Sequence, residues 1–230
     1  MNFPYYQAVI EILDTVFVLL AYLKIRSEYK KNREENTLNV SRLVLGYLIY
    51  FLCFNIGVLF PLFGLPLELG IKIMHNFLST FFVFWGAGYL LKIPASMYFP
   101  KIKNILPLFT ALYGFAVGLA SLFHKEIPMI EKGVIKFNMP DWVVYANIGT
   151  ALAIVSVIML FFVNGALSTS DKYIRRRSLL LAVTAFCLGV STLYWIPNTL
   201  IVIVVITVAL IGYFLLFYGT YYKPERQIPA

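Results

Sequence analysis

The sequence predicts an all-α integral membrane protein, a single domain of seven transmembrane helices that spans residues 1–230. Most of its seven apolar stretches approach the ~20 residues that a helix needs to cross the hydrocarbon core. Hydrophobic residues make up 60% of the chain and charged residues 13%, too little polar surface for a soluble protein of this size. The stretches are Gln7–Leu23, Leu43–Phe63, Leu69–Leu91, Ile105–Phe123, Trp142–Leu167, Leu179–Ile196 and Thr199–Tyr218.

The Lys and Arg residues between these stretches accumulate in every second loop, and this pattern predicts the orientation of the chain in the membrane. If the N-terminus is outside, fifteen of the nineteen Lys and Arg residues lie inside, and cytoplasmic loops collect such residues. We therefore expect an outside N-terminus, an inside C-terminus and a multi-pass protein of the cell membrane. The inside residues are Lys24, Arg26, Lys30, Lys31, Arg33, Arg42, Lys92, Lys101, Lys103, Lys172, Arg175, Arg176, Arg177, Lys223 and Arg226.

The net charge of +8 needs no nucleic-acid partner. A nucleic-acid binder carries its basic patch on a soluble module, whereas each basic run here lies at a helix end, where it can meet anionic lipid headgroups. The bilayer is therefore the expected partner of these charges. The first stretch is expected to remain as helix 1, because no basic residue precedes it as in a signal peptide.

The loops and turns follow in order along the chain. The longest inside loop, 25–41, is charged and expected to be partly helical near the membrane. Pro61 and Pro66 bracket the outer turn between helices 2 and 3, and Pro197 with Asn198 predicts a tight turn between helices 6 and 7. Helix interiors are almost free of proline, which counts against an alternating-access transporter with broken helices.

The outer loop between helices 4 and 5 predicts a β-hairpin. Short strand-like runs flank 131–133, and Gly133 can adopt the left-handed conformation that a bulged turn requires. Pro140 and Asp141 are expected to end the second strand and to cap helix 5. The hairpin would then form a lid over the outer side of the bundle.

Small residues in several helices predict close packing between helix backbones, within one bundle rather than in a dimer. The pairs are Gly114 with Gly118, Gly86 with Gly88, and Gly149 with Ala153.

Polar residues within the apolar stretches are the candidate functional site, because each costs a few kcal/mol in the bilayer unless it finds a partner or water. The alternating helix directions place them together in the outer third of the bundle. We expect them to line an outward-facing pocket for a small ligand beneath the hairpin. Residues that only snorkel to the interface, or an ion pair that locks helix 1 onto helix 3, are the plainer alternatives. The candidates are Glu11, Asp14, Lys72, His75, Asn76, Tyr145 and Asn147.

The sequence lacks the sets of residues that common enzymatic sites require, so no catalytic residue is expected. The two histidines, His75 and His124, cannot supply paired haem ligands, a di-iron cluster or a His-Glu-x-x-His zinc site. Glycine-rich phosphate loops and serine nucleophile elbows are absent from the sequence. Cys53 and Cys187 both lie in apolar segments and are expected to be core residues. No cofactor and no metal are expected.

The order of these features resembles a known family. The outer strand-turn segment Glu131–Phe137 and the basic inner turn Tyr173–Leu180 that leads into helix 6 look like the seven-helix membrane sensor region of bacterial histidine kinases. The resemblance implies ligand sensing. No kinase is expected after helix 7, so we expect a separate membrane or cytoplasmic protein partner to carry the output.

The sequence therefore favours a receptor-like or sensor module that binds an unknown small ligand. A small-solute transporter and a non-catalytic accessory subunit of a membrane complex remain alternatives. Reagents would reach the Lys72 region from either side in a transporter, and from neither side in an assembled accessory subunit.

Overall fold

The computed structural model describes residues 4–196 and 198–221, and this part of the chain folds into seven long helices and one hairpin. Pro197 of the predicted turn, and the predicted inside residues Lys223 and Arg226, lie outside the described residues. The helices are α1 Tyr5–Asn32, α2 Glu35–Val58, α3 Leu67–Tyr98, α4 Leu106–Leu122, α5 Asp141–Leu167, α6 Lys172–Ser191 and α7 Thr199–Tyr221, and the strands are β1 Met129–Glu131 and β2 Val134–Lys136.

The helices form a ring in sequence order. Helices α1, α2, α3 and α4 pack side by side, α5, α6 and α7 do the same, and α7 closes the ring against α1. The α5 helix packs extensively against α6 but only sparsely against α3 and α4. Most of the side chains of α5 are consequently not buried inside the bundle.

Five of the helices are long and apolar enough to cross a membrane, which confirms a membrane-embedded helical protein. They are α2, α3, α5, α6 with its C-terminal turn, and α7, whereas α4 is a shorter apolar helix. Helix α1 is not among the five. It carries the buried acids Glu11 and Asp14, and its last turn carries Lys30 and Lys31.

The two ends of the bundle differ in charge. The basic end, where α1, α3, α5 and α7 finish, contains the predicted inside loops; the hairpin end contains β1 and β2. The predicted loop 25–41 is almost entirely helical, since α1 continues to Asn32 and α2 begins at Glu35. Arg33 lies between them with a positive φ of 58° and ends α1. The Lys92 Nζ lies 2.8 Å from the Glu35 Oε1, and this ion pair joins α2 to the C-terminal part of α3.

The predicted hairpin is present, but its turn is tighter than expected. Glu131 pairs with Val134, so two residues form the turn, and both Lys132 and Gly133 have positive φ angles of 50° and 77°. This is a two-residue turn of the primed type rather than a bulged one. Pro140, not Asp141, precedes the first residue of α5, and no side chain caps that helix.

Backbone contacts at glycines separate tight helix pairs from loose ones. A Cβ at Gly46 of α2 would lie 2.6 Å from the carbonyl oxygen of Phe82 in α3, and Gly86 faces Gly46 from the other side. Gly114 and Gly118 similarly bring α4 against α3. The close approach predicted at Gly149 is wrong, because nothing lies within 4 Å of a Cβ there.

Helix α3 is irregular where the candidate residues lie. Its segment Ile71–Ser79 is a π-helix of 9 residues, with wider turns than the α-helical segments on both sides. Such insertions are rare and are frequent at functional sites. The helix also continues through Pro94 to Tyr98, beyond its predicted end.

Candidate functional site

His75 occupies the centre of a buried polar cluster. Its side chain is 0% exposed, and its Nε2 lies 3.1 Å from the hydroxyl of Tyr50 and 3.2 Å from that of Tyr194. The Tyr50 hydroxyl donates to the Tyr194 oxygen at 2.9 Å, which closes a triangle between α2, α3 and the turn after α6. The other ring nitrogen lies 3.3 Å from the Asn76 side-chain oxygen, so both ring nitrogens have partners.

The hairpin covers this cluster directly. The ring of Phe137, just after β2, stacks on the His75 imidazole with centroids 4.2 Å apart. Ile135 is fully buried, and its backbone N–H donates to the Gln7 side-chain oxygen at 2.8 Å. The Gln7 backbone N–H in turn donates to the Gly133 carbonyl. The hairpin therefore acts as a packed plug that is tied to α1.

Glu11 and Asp14 lie deeper on α1, and both are more than nine-tenths buried. Glu11 accepts a long hydrogen bond of 3.4 Å from Gln7 through one oxygen. Its second oxygen, Oε2, and the Asp14 Oδ1 have no hydrogen-bond partner. The two acids line a cavity of about 30 Å³, here called the acidic cavity, together with Tyr50, Ser191, Tyr194 and Tyr213.

Lys72 does not join these acids. Its ammonium donates to the backbone carbonyl of His124 at 2.6 Å, at the end of α4. None of the ion pairs in the described part of the chain links it to Glu11 or Asp14. The alternative of an ion pair that locks helix 1 onto helix 3 is therefore wrong. The reason is the π-helix, which has more residues per turn than an α-helix. Lys72 and His75, three positions apart, therefore face different neighbours: Lys72 faces the end of α4, and His75 faces α2.

Asn147 and Tyr145 of α5 point in different directions. Asn147 is 1% exposed, and its oxygen accepts from the Tyr113 hydroxyl at 3.4 Å. Tyr145 is 73% exposed, so its expected place beside the other candidates is wrong. The two residues are two positions apart, which places them on different faces of one helix.

A second cavity, the central cavity, has a volume of about 90 Å³ and lies between α2, α3, α5, α6 and α7. Asn147 of α5 and Thr80 of α3 both line it. The Asn147 Nδ2 and the Thr80 Oγ1 are both buried without a hydrogen-bond partner. Since buried polar atoms in proteins are nearly always bonded, two such atoms at one cavity indicate an occupant that bonds them.

The cavities follow one another toward the basic end. The central cavity shares Tyr50, Ser191, Tyr194 and Tyr213 with the acidic cavity as a common wall. On its other side it shares Tyr47 and Leu188 with a basic-end cavity of about 270 Å³. The charged residues that line the basic-end cavity are Glu28, near the end of α1, and Arg177, near the start of α6. Its polar lining residues include Asn36 and Thr37 at the start of α2 and Thr220 at the end of α7.

The hairpin end has an apolar groove instead of a polar pocket. The groove, about 910 Å³, runs between the α2–α3 turn and the segment before β1. Glu68 is its charged lining residue, and none of the seven candidate residues lines it. The candidate residues therefore do not surround a pocket beneath the hairpin.

Sequence reasoning missed Tyr50, Tyr194, Thr80 and Phe137, which complete the cluster and the cavity walls. Tyrosine is common in membrane helices and at their interfaces, so no single tyrosine is distinctive in the sequence. The useful signal was spacing, because Tyr47 and Tyr50 lie three positions apart on one face of α2.

The comparisons with known proteins give no relative: the chain matches no family model, and no curated protein matches its sequence. The resemblance to a histidine-kinase sensor region therefore stays a prediction, and the function has to be argued from the site.

Proposed function

We propose that this protein is a receptor-like membrane module that binds a small polar ligand in the central cavity. One observation carries the proposal: two buried polar atoms from different helices, Thr80 Oγ1 and Asn147 Nδ2, lack partners at the same void. A hydroxyl can donate or accept, and an amide nitrogen donates, so the ligand would present an acceptor to Asn147. The volume of about 90 Å³ holds about three waters or a ligand of that size.

The proposed topology has seven crossings with the N-terminus outside. The alternating helix directions bring the described members of the predicted inside set to one end, in agreement with the positive-inside preference. The central cavity then faces the cytoplasm through the basic-end cavity, and the hairpin seals the outside. The proposal thus replaces the outward-facing entrance expected from the sequence with an inward-facing one.

The topology is tested by single cysteines at Asn36, Ser170 and Lys132, all of which are exposed. The native Cys53 and Cys187 are buried and give little background. In intact cells an impermeant thiol reagent should label the Lys132→Cys variant and spare Asn36→Cys and Ser170→Cys. Labelling of Asn36→Cys would invert the orientation.

The ligand site is tested by mass spectrometry of the small molecules that stay with the protein after mild extraction. A molecule retained by the native chain should be lost from Asn147→Ala and Thr80→Val. The matched control is Asn104→Ala, which changes an exposed asparagine at the basic end and should retain it. Equal retention by all variants would place the ligand elsewhere, and no retained molecule in any would count against a receptor.

A small-solute transporter is the second candidate, favoured by the line of cavities and the π-helix in α3. A transporter must open its central cavity to both sides in turn. A cysteine at Ala151, which lines that cavity, should then react with an impermeant reagent from the hairpin side in at least one state. Under the receptor proposal it should react only from the basic end.

A further inference from the structure

We infer that Glu11 and Asp14 hold a monovalent metal cation of the Na⁺ class in the acidic cavity, a site separate from the ligand site in the central cavity. The charges of the acidic cavity are unbalanced. Two carboxyl side chains, 4% and 2% exposed, lie one helical turn apart, and no Lys or Arg among the described residues forms an ion pair with either. Uncompensated buried charges are strongly destabilising, so each carboxyl has to be neutralised by a bound cation or by a proton. One monovalent cation together with one proton neutralises the pair.

Two of the carboxyl oxygens lack hydrogen-bond partners, which indicates that the cavity holds an occupant. Glu11 Oε2 and Asp14 Oδ1 have no hydrogen-bond partner although both side chains line a void. The volume of about 30 Å³ is that of one water molecule in the liquid. The occupant is therefore of the size of a single ion or water, much smaller than a ligand in the central cavity.

The rest of the wall supplies further oxygen atoms. Four other lining residues carry hydroxyl groups and come from α2, α6 with its C-terminal turn, and α7: Tyr50, Ser191, Tyr194 and Tyr213. The Ser191 hydroxyl donates to the Leu188 carbonyl at 2.7 Å, which leaves its lone pairs available. Carboxylate and hydroxyl oxygens are ligands of hard cations, and a set of several around one void suits a metal ion.

The neighbouring groups agree with this assignment. Lys72, which could have neutralised the acids, is held by the His124 carbonyl instead. His75, which contacts Tyr50 and Tyr194 of the cavity wall, already has partners at both ring nitrogens. Because Tyr50 and Tyr194 line both cavities, a cation at the acids would fix part of the wall of the central cavity.

The experiment measures thermal unfolding of the full chain in lipid nanodiscs while NaCl replaces N-methylglucamine chloride at constant ionic strength. A protein that binds Na⁺ only when folded should show a Tm that rises with Na⁺ concentration. Glu11→Gln and Asp14→Asn should each raise the Na⁺ Kd by at least ~10-fold, equivalent to about 1.4 kcal/mol of binding free energy. Glu126→Gln, an exposed acid outside the cavity, is the matched control and should respond as the native chain does.

A second measurement keeps the test decisive if the acid variants fail to fold. Equilibrium binding of radioactive Na⁺ to the native chain should saturate at one ion, and Ser191→Ala should weaken it without changing the charge. A Tm that responds to pH but not to Na⁺ would show that protons neutralise the acids and would overturn the inference. Na⁺ binding that is unchanged in Glu11→Gln and Asp14→Asn would overturn the inference as well. The ligand variants Asn147→Ala and Thr80→Val should keep the Na⁺ response, so the two proposals can fail separately.

Discussion

The hairpin end and the basic end of the bundle are built differently. At the hairpin end, Phe137 and Ile135 fill the space above His75, and hydrogen bonds tie the hairpin to α1. At the basic end, helices separate around a cavity of about 270 Å³, and the contacts are ion pairs of partly exposed side chains such as Lys92 with Glu35. The buried polar residues therefore mark a specifically packed region beneath the hairpin, whereas the cavity at the basic end has charged and polar residues in its wall.

The largest expected effect comes from removing the plug. Phe137→Ala deletes a buried ring that stacks on His75 and should lower the free energy of unfolding by about 3–5 kcal/mol, because the cavity left behind cannot collapse fully. Reversible unfolding in mixed micelles measures it. Phe123→Ala, which removes a ring that is 79% exposed, should change stability little. Equal effects of the two changes would mean that the hairpin is not part of the packed core.

Glycine substitutions compare a tight helix pair with a loose one. Gly46→Ala forces α2 away from α3, since its Cβ would lie 2.6 Å from the Phe82 carbonyl oxygen, and overpacking of this kind costs about 1–3 kcal/mol. Gly149→Ala adds a methyl group in open space within a helix and should stabilise the protein by about 0.5–1 kcal/mol. The same unfolding assay should show opposite signs. Destabilisation by Gly149→Ala would show that α5 packs more closely than described.

The tyrosine pair tests whether the His75 cluster is cooperative. Tyr50→Phe and Tyr194→Phe each remove one hydroxyl and should each cost about 1 kcal/mol. The double variant should cost more than the sum, because His75 Nε2 then loses both neighbours while buried. Tyr145→Phe, with a 73% exposed side chain, is the control. Additive losses in the double-mutant cycle would mean that the three groups act independently.

The smallest expected effect is the pH response of the hairpin surface. The ammonium of Lys136 lowers the pKa of the Glu131 carboxyl from its usual 4.5. The ion pair therefore contributes above about pH 4.5 and is lost as the pH falls through the lower pKa of the folded state. A series of Tm values from about pH 6 to about pH 3 should fall less steeply for Lys136→Gln than for the native chain. An identical pH dependence would show that the pair does not stabilise the hairpin.

The comparison also shows how far the candidate site follows from the sequence. Burial of Glu11, Asp14, His75, Asn76 and Asn147 was predictable, because polar residues in apolar helices avoid lipid. Their partners were not, since the rotation of each helix about its axis is decided by packing. Lys72 and Tyr145 show this, because each lies on the predicted helix but its side chain faces away from the other candidates.

By itself the sequence determined the number and approximate bounds of the helices, the hairpin and the accumulation of basic residues at alternate loops. These follow from local composition and periodicity, which need no knowledge of neighbours. The tertiary structure decided the π-helix in α3, the stacking of Phe137 on His75 and the positions of the cavities. These depend on how side chains from several helices fill a shared space, and that filling is a property of the assembled bundle rather than of any one segment.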